Sequence, residues 1–232
     1  MLPQMTALAQ ITTAELVAMA VLILAWAGLG LVIEHPPARY PSVARIMEGY
    51  RRDWMRVFVT RQPRIFDATI IDSLRQGTAF FASACLIALG GGVAMINNAD
   101  RLEMVAADLT LPTSGVPTEA RLVLVLLFLA DALLKFMWSN RLFGYCAILM
   151  AAVPNDPADA TALPAAARAG EVNITAARSF NRGLRSIYFA LAALAGLAGP
   201  WAMMAATVAA VAIQLRREFA SESRRAILAA LK

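Results

Sequence analysis

Three long stretches of the chain carry no charge at all: Leu16 to Ile33, Gly77 to Ile96, and Ile187 to Leu215. A bilayer core of about 30 Å takes roughly 20 helical residues, so each is predicted to cross. A fourth stretch, Leu122 to Trp138, is equally apolar except for Asp131 and Lys135, and its helix is predicted to run on to Arg141. The last run is interrupted by Gly199-Pro200. Proline kinks membrane helices without ending them, which favours one kinked helix; a re-entrant hairpin of two short limbs is the alternative, and its turn would need burial in protein. The reading is an all-α chain, a four-helix transmembrane bundle in a single domain over 1–232, with spans at about 16–33, 77–96, 122–141 and 187–215.

Between the first two spans the pattern changes to helical amphipathicity. After Ser42, a good N-cap, apolar residues recur at Val43, Ile46, Met47, Tyr50, Trp54, Val57 and Phe58, with Arg45, Glu48, Arg52 and Arg56 among them. An amphipathic helix is predicted over about 43–61, lying on the leaflet or packing on neighbouring helices. Pro63 suits a first helical turn, so the second span is predicted to start well before the membrane. The third continues through "RLFGYCAILMAAVP", and Arg178, Arg182 and Arg185 form a stripe leading into the fourth. Long helices thus extend beyond the membrane on one side. The stretches 154–170 and "LTLPTSGVPTE" are rich in Pro and small or polar residues and are predicted to be irregular.

Composition agrees with membrane residence: 59% of the 232 residues are hydrophobic and only 16% charged, too apolar for a surface wetted all round. Basic residues set the orientation. Arginine is abundant in 34–76 and 152–186, whereas 97–121 holds only Arg101 and Arg121 against Asp100, Glu103, Asp108 and Glu119. The amino terminus is therefore expected on the periplasmic side of a bacterial cytoplasmic membrane, with loops 34–76 and 152–186 inside. Four crossings would then leave Arg216, Arg217, Arg224, Arg225 and Lys232 outside, against the rule. No Lys or Arg precedes the first span, so it is read as a retained helix and not as a cleaved signal.

Little chemistry is legible. Cys85 and Cys146 should lie at different depths, and neither has Cys or His at ligand spacing, so no disulfide, metal or cofactor is expected. His35, before Pro36-Pro37, reads as a helix-boundary residue. The pI of about 9.8 follows from the positive-inside bias and calls for anionic lipid headgroups at the inner face, not nucleic acid. Asp131 and Lys135 are spaced i, i+4 with the acid first, the favourable order for a pair within one helix. That pair is expected to be structural, since no other span offers a second polar station beyond Ser83. Small residues at Ala84, Ala88 and Gly92, and at Ala192 and Gly196, have the spacing that lets helix backbones touch.

The motifs "RDWM" (52–55), "RIFD" (64–67), "FFASACLIALGGG" (80–92), "KFMWSNRLFGYCAILMAAVP" (135–154) and "FNRGLRSIYFALAAL" (180–194) occur in that order. Over roughly residues 33–215 the chain resembles bacterial and plant membrane proteins grouped as domain of unknown function 599. That resemblance implies a multi-pass helical fold and no particular activity. Its motifs suggest that Asn140 and Arg141 sit near Asn181, Arg182 and Arg185 across a helix pair, as interhelical ties or as a site for a lipid phosphate. The functional expectation is a non-enzymatic membrane protein acting by helix–helix contact, as a homo-oligomer or an accessory subunit of a larger complex. A channel with Asp131 near its pore comes next, and a lipid-modifying enzyme last.

Overall fold

The computed structural model describes residues 12–99, 104 and 116–229. The predicted irregular stretch before the third span falls mostly outside the described residues, as does Lys232. The described chain is helical throughout, without strands: α1 (Thr13–Glu34), α2 (Val43–Thr60), α3 (Ile65–Ile96), α4 (Thr118–Ala151), α5 (Ala162–Ala195), α6 (Pro200–Phe219) and α7 (Glu222–Ala229). Among the described residues, α1, α3 and α4 are long and apolar enough to cross a membrane, the signature of a multi-pass membrane protein.

Local sequence explains several boundaries. Thr12 caps α1 by accepting from the Glu15 N–H at 3.3 Å, and the Glu15 carboxylate accepts from the Thr12 N–H at 3.0 Å, a reciprocal capping box. The Ser42 hydroxyl accepts from the Arg45 N–H at 3.2 Å and donates to the Ile33 carbonyl at 2.8 Å, so one side chain starts α2 and ties it to the end of α1. The predicted connector at 154–170 is irregular only to Thr161. Asp159 accepts from the Thr161 N–H at 2.7 Å, and α5 begins at Ala162 with Pro164 in its first turn, where a missing N–H costs nothing.

The fourth apolar run does not form one kinked helix. It ends at Ala195, makes a short 3-10 turn at Gly196–Ala198, and restarts at Pro200. Gly199 has φ 107° and ψ 170°, a conformation essentially reserved for glycine, and this reverses the chain. Gly196 and Pro200 line one cleft with Glu15 and Arg121, placing the turn where α1 and α4 begin. From there α6 runs back beside α5. Arg217 Nη1 donates to Tyr188 Oη at 2.6 Å, and Tyr40 Oη donates to the Phe219 carbonyl at 2.8 Å. The end of α6 thus lies beside the end of α1 and the start of α2. The expected kinked span is not formed, because a Gly-Pro step permits either a kink or a reversal and the positive φ of Gly199 selects the reversal.

α4 and α5 form the antiparallel spine. Ser139 Oγ donates to the Ala176 carbonyl at 2.7 Å and Ser179 Oγ to the Lys135 carbonyl at 2.8 Å. A Cβ on Gly183 would come within 2.8 Å of the Phe136 ring, so the absence of a side chain there sets the approach of the two helices. The two larger of four apolar clusters among the described residues lie toward opposite ends of the spine. One joins α1, α4, α5 and α6 through Ala18, Leu22, Phe128, Phe189 and Met203, and its outer surface is a belt of exposed Leu24, Leu31, Leu127 and Val208. The other joins α2, α3, α4 and α5 through Met55, Phe58, Ile71, Cys146 and Ala166. Its surface is charged, with Arg52 salt-bridged to Glu171 at 2.6 Å.

Within the chain, the small-residue stripe of α3 does not pack as expected. Ala84 and Ala88 are exposed, and α3 meets α4 through Phe81, Cys85 and Gly92, where a Cβ would lie 2.4 Å from Leu126. Ala192 and Gly196, by contrast, are buried in the bundle.

Gly199→Ala is expected to destabilise the solubilised protein by about 1–3 kcal/mol, read as a lower thermal midpoint. Gly90→Ala, whose added methyl meets nothing within 4 Å, serves as the control and should leave the midpoint unchanged or slightly raised.

Candidate functional site

Polar groups within and just below the apolar belt are tied in pairs and triads, each tie joining different helices or reinforced from one. Lys135 Nζ donates to Asp131 Oδ2 at 2.6 Å along α4. The Ser186 hydroxyl of α5 also donates to Asp131 and in turn accepts from Trp26 Nε1 of α1 at 3.3 Å. The Lys135 ammonium sits 5.1 Å from the centre of the Trp26 ring, within cation–π range. Ser186 and Trp26 were missed in the sequence because each looks unremarkable alone. The Asp131 and Lys135 side chains remain 34% and 25% exposed, so the pair reaches the lateral surface of the bundle.

The second group centres on Glu34, at the last position of α1. Arg182 grips it with two nitrogens, Nε donating to Oε1 at 2.9 Å, and Arg185 Nη2 donates to the same oxygen at 2.7 Å. Bidentate arginine–carboxylate pairs are the strongest side-chain ties available. Arg185 is buried and Glu34 mostly so, whereas Arg182 is exposed. At the opposite end of α1, Glu15 accepts from Arg121 Nη2 at 2.8 Å and from the Val116 N–H at 2.9 Å, binding α1 to α4. Below Glu34, Glu48 of α2 accepts from Arg178 Nε at 2.6 Å and from Arg45. Burial raises the Glu48 pKa, but the Arg178 hydrogen bond and the charges of Arg178 and Arg45 outweigh it, holding the carboxyl below its ordinary range. Glu15 and Glu34 were findable in the sequence as the charges that bracket the uncharged run 16–33, whereas Glu48 lies within the amphipathic helix and carries no such signal.

The residues expected to cluster at the inner face are divided between neighbours. Asn140 Nδ2 donates to the Arg75 carbonyl at 2.9 Å and to Thr78 Oγ1 at 3.0 Å, both on α3. Arg141 is exposed and bonds Tyr145 on its own helix, with its guanidinium 5.5 Å from that ring. Arg182 and Arg185 turn the other way, toward α1, and Asn181 is exposed between α2, α3 and α6. Rotation along α4 and α5 therefore separates residues that are close in sequence level. His35 caps the end of α1 and is exposed, and Cys85 and Cys146 are both buried free thiols.

Lys135→Met strands Asp131 beside the apolar belt and is expected to cost roughly 1–3 kcal/mol. Removing both charges, as Asp131→Asn with Lys135→Met, should recover most of that loss, and a four-protein double-mutant cycle of thermal midpoints measures the coupling.

Residues 17–223 match the model of a family described as protein of unknown function, DUF599. No curated protein and no solved structure matches the chain.

Proposed function

The chain belongs to the DUF599 family of unknown function, and we propose that within it this protein is a non-enzymatic membrane component that works by helix contact, as a homo-oligomer or as a subunit of a larger assembly. One observation carries the reading. The apolar half of α3 packs on α4, with Phe81 also against Phe180 of α5, and turns Ala84, Ala88 and Gly91 outward between Leu86, Ile87 and Val93. Small residues on an exposed transmembrane face allow a second helix to approach closely, which lipid chains do not require. The pairing of charges inside one copy supports the same view, because groups already tied to each other are poorly placed to move cargo.

The return of α6 also bears on orientation. It brings Arg216, Arg217, Arg224 and Arg225 to the end of the molecule that carries Arg45, Arg52, Arg178 and Arg182. With all of these on the cytoplasmic side of a bacterial inner membrane, the positive-inside rule is obeyed by every segment, and the basic flank meets anionic headgroups.

Cysteine placed at Ala88, with native Cys85 and Cys146 buried, is expected to give a crosslinked dimer when membranes are treated with a short bis-maleimide. A monomer only, both there and by native mass spectrometry in lipid, sinks self-association through α3.

A second reading, an oligomeric channel or small transporter, draws on the partial exposure of Asp131 and Lys135 at the lateral surface. It requires that Asp131→Asn abolish or strongly reduce ion flux in proteoliposomes; unchanged flux, or none from the native protein, eliminates it.

A further inference from the structure

α2 and α3 meet near the link that joins them and diverge from there toward the apolar belt. Trp54 Nε1 donates to Asp67 Oδ1 at 2.6 Å close to the link. Further along, Ala44 and Met47 of α2 are separated from Leu74 and Gly77 of α3 by a cavity of about 330 Å³ floored by α5. That volume lies within the range of small-molecule sites.

The lining changes character along its length. Toward the belt it contains Phe180, whose ring is 5.6 Å from Phe81 and 5.4 Å from Phe136, the aromatic group that surrounds the Cys85 contact. Away from the belt it contains Arg51 and Ser73. Arg51 is partly buried and donates to the side-chain oxygen of Asn173, a neutral and fully buried partner. Among the described residues no carboxylate lies within 4.0 Å of the Arg51 guanidinium. Burial holds its pKa below the ordinary value. A guanidinium withdrawn from water onto a neutral amide has lost hydration without gaining a counter-charge.

The other charged groups facing the cavity are already engaged. Arg178 and Glu48 are salt-bridged at 2.6 Å, with Arg45 on the second Glu48 oxygen. Glu218 accepts from the Ala44 N–H at 2.9 Å; Ala44 is two turns of α2 from Arg51, about 10 Å along the helix axis. An anion at the Arg51 end would therefore meet an unmatched cation, and the opposite end continues into the apolar layer.

We propose that this cleft binds an anionic amphiphile entering sideways from the inner leaflet, its oxyanion head on Arg51 and its hydrocarbon chain running past Gly77 and Phe180 toward the belt. A lipid phosphate and a fatty carboxylate share that chemistry. The inference rests on the placement of the basic end at the inner membrane surface and is independent of self-association.

The test uses the full chain in neutral detergent, comparing lysophosphatidate, palmitate, lysophosphatidylcholine and inorganic phosphate by thermal shift and by native mass spectrometry. Native protein should be stabilised by, and retain, lysophosphatidate, palmitate or both, the pattern identifying the head. Lysophosphatidylcholine and inorganic phosphate should be weaker by roughly tenfold or more. Arg51→Met should lose a comparable factor, and Arg51→Lys should restore part of it. Unliganded Arg51→Met leaves the buried Asn173 oxygen without its donor, so its own midpoint should fall, and the shift on adding ligand is read against each variant's unliganded midpoint. Gly77→Leu, whose side chain has open space to enter, should block binding with Arg51 intact. Equal response to lysophosphatidylcholine or to phosphate alone, or binding undiminished in Arg51→Met or Gly77→Leu, would each overturn the proposal.

Discussion

Charge matching beside an apolar layer is the constraint on which this architecture depends. A carboxylate at the edge of hydrocarbon is costly unless a cation meets it directly, and the partner must come from an adjacent helix or from the next turn. Glu34 recruits Arg182 and Arg185, which fixes α1 against α5. Glu15 recruits Arg121, which fixes the other end of α1 against α4. α1 is thus fastened at both ends to the α4–α5 spine, and its middle is held by the Trp26–Ser186–Asp131–Lys135 chain. Apolar packing against Phe128 and Phe189 fills the space between these points.

The reversal at Gly199 has consequences beyond the turn itself. By returning the chain, it puts α6 against α1 and α5, closes the first apolar cluster with Met203 and Val211, and delivers Glu218 to the first turn of α2. The carboxyl-terminal segment then docks on the Pro41 region, where Arg224 lies 4.1 Å from the Tyr40 ring centre. A straight or kinked span would separate all of these groups by the thickness of the bilayer.

Below the belt, the same helices continue into a second layer with a different surface. Its core of Met55, Phe58, Ile71 and Cys146 is apolar, but its outward positions carry matched charges, as expected where water replaces lipid. Where α2 and α3 diverge, this layer is not filled, and the cation left facing that space is the feature of the molecule most unlike a purely structural element. Contact along α3 and a ligand in the cleft are compatible, since they use different lengths of α3: the exposed face from Ala84 to Val93 and the stretch from Ser73 to Thr78.

By itself, the sequence determined the helical class, three of the four expected spans (those in α1, α3 and α4), the amphipathic helix after Ser42 and the prolongation of α3 and α4 beyond the apolar runs. These follow from composition and period, which depend on residues near one another along the chain. It also marked Asp131 and Lys135, because opposite charges one turn apart meet on any helix. Only the tertiary structure decided the fate of the fourth apolar run, because Gly-Pro is compatible with a kink or a reversal and the choice rests on a backbone angle stabilised by distant helices. The same holds for the partners of Glu34, for the division of Asn140, Arg141, Asn181 and Arg182 among three neighbours, and for the outward turn of Ala84 and Ala88. Each depends on the rotation of one helix against another, a quantity set by packing and charge matching across the whole bundle and not by any local pattern.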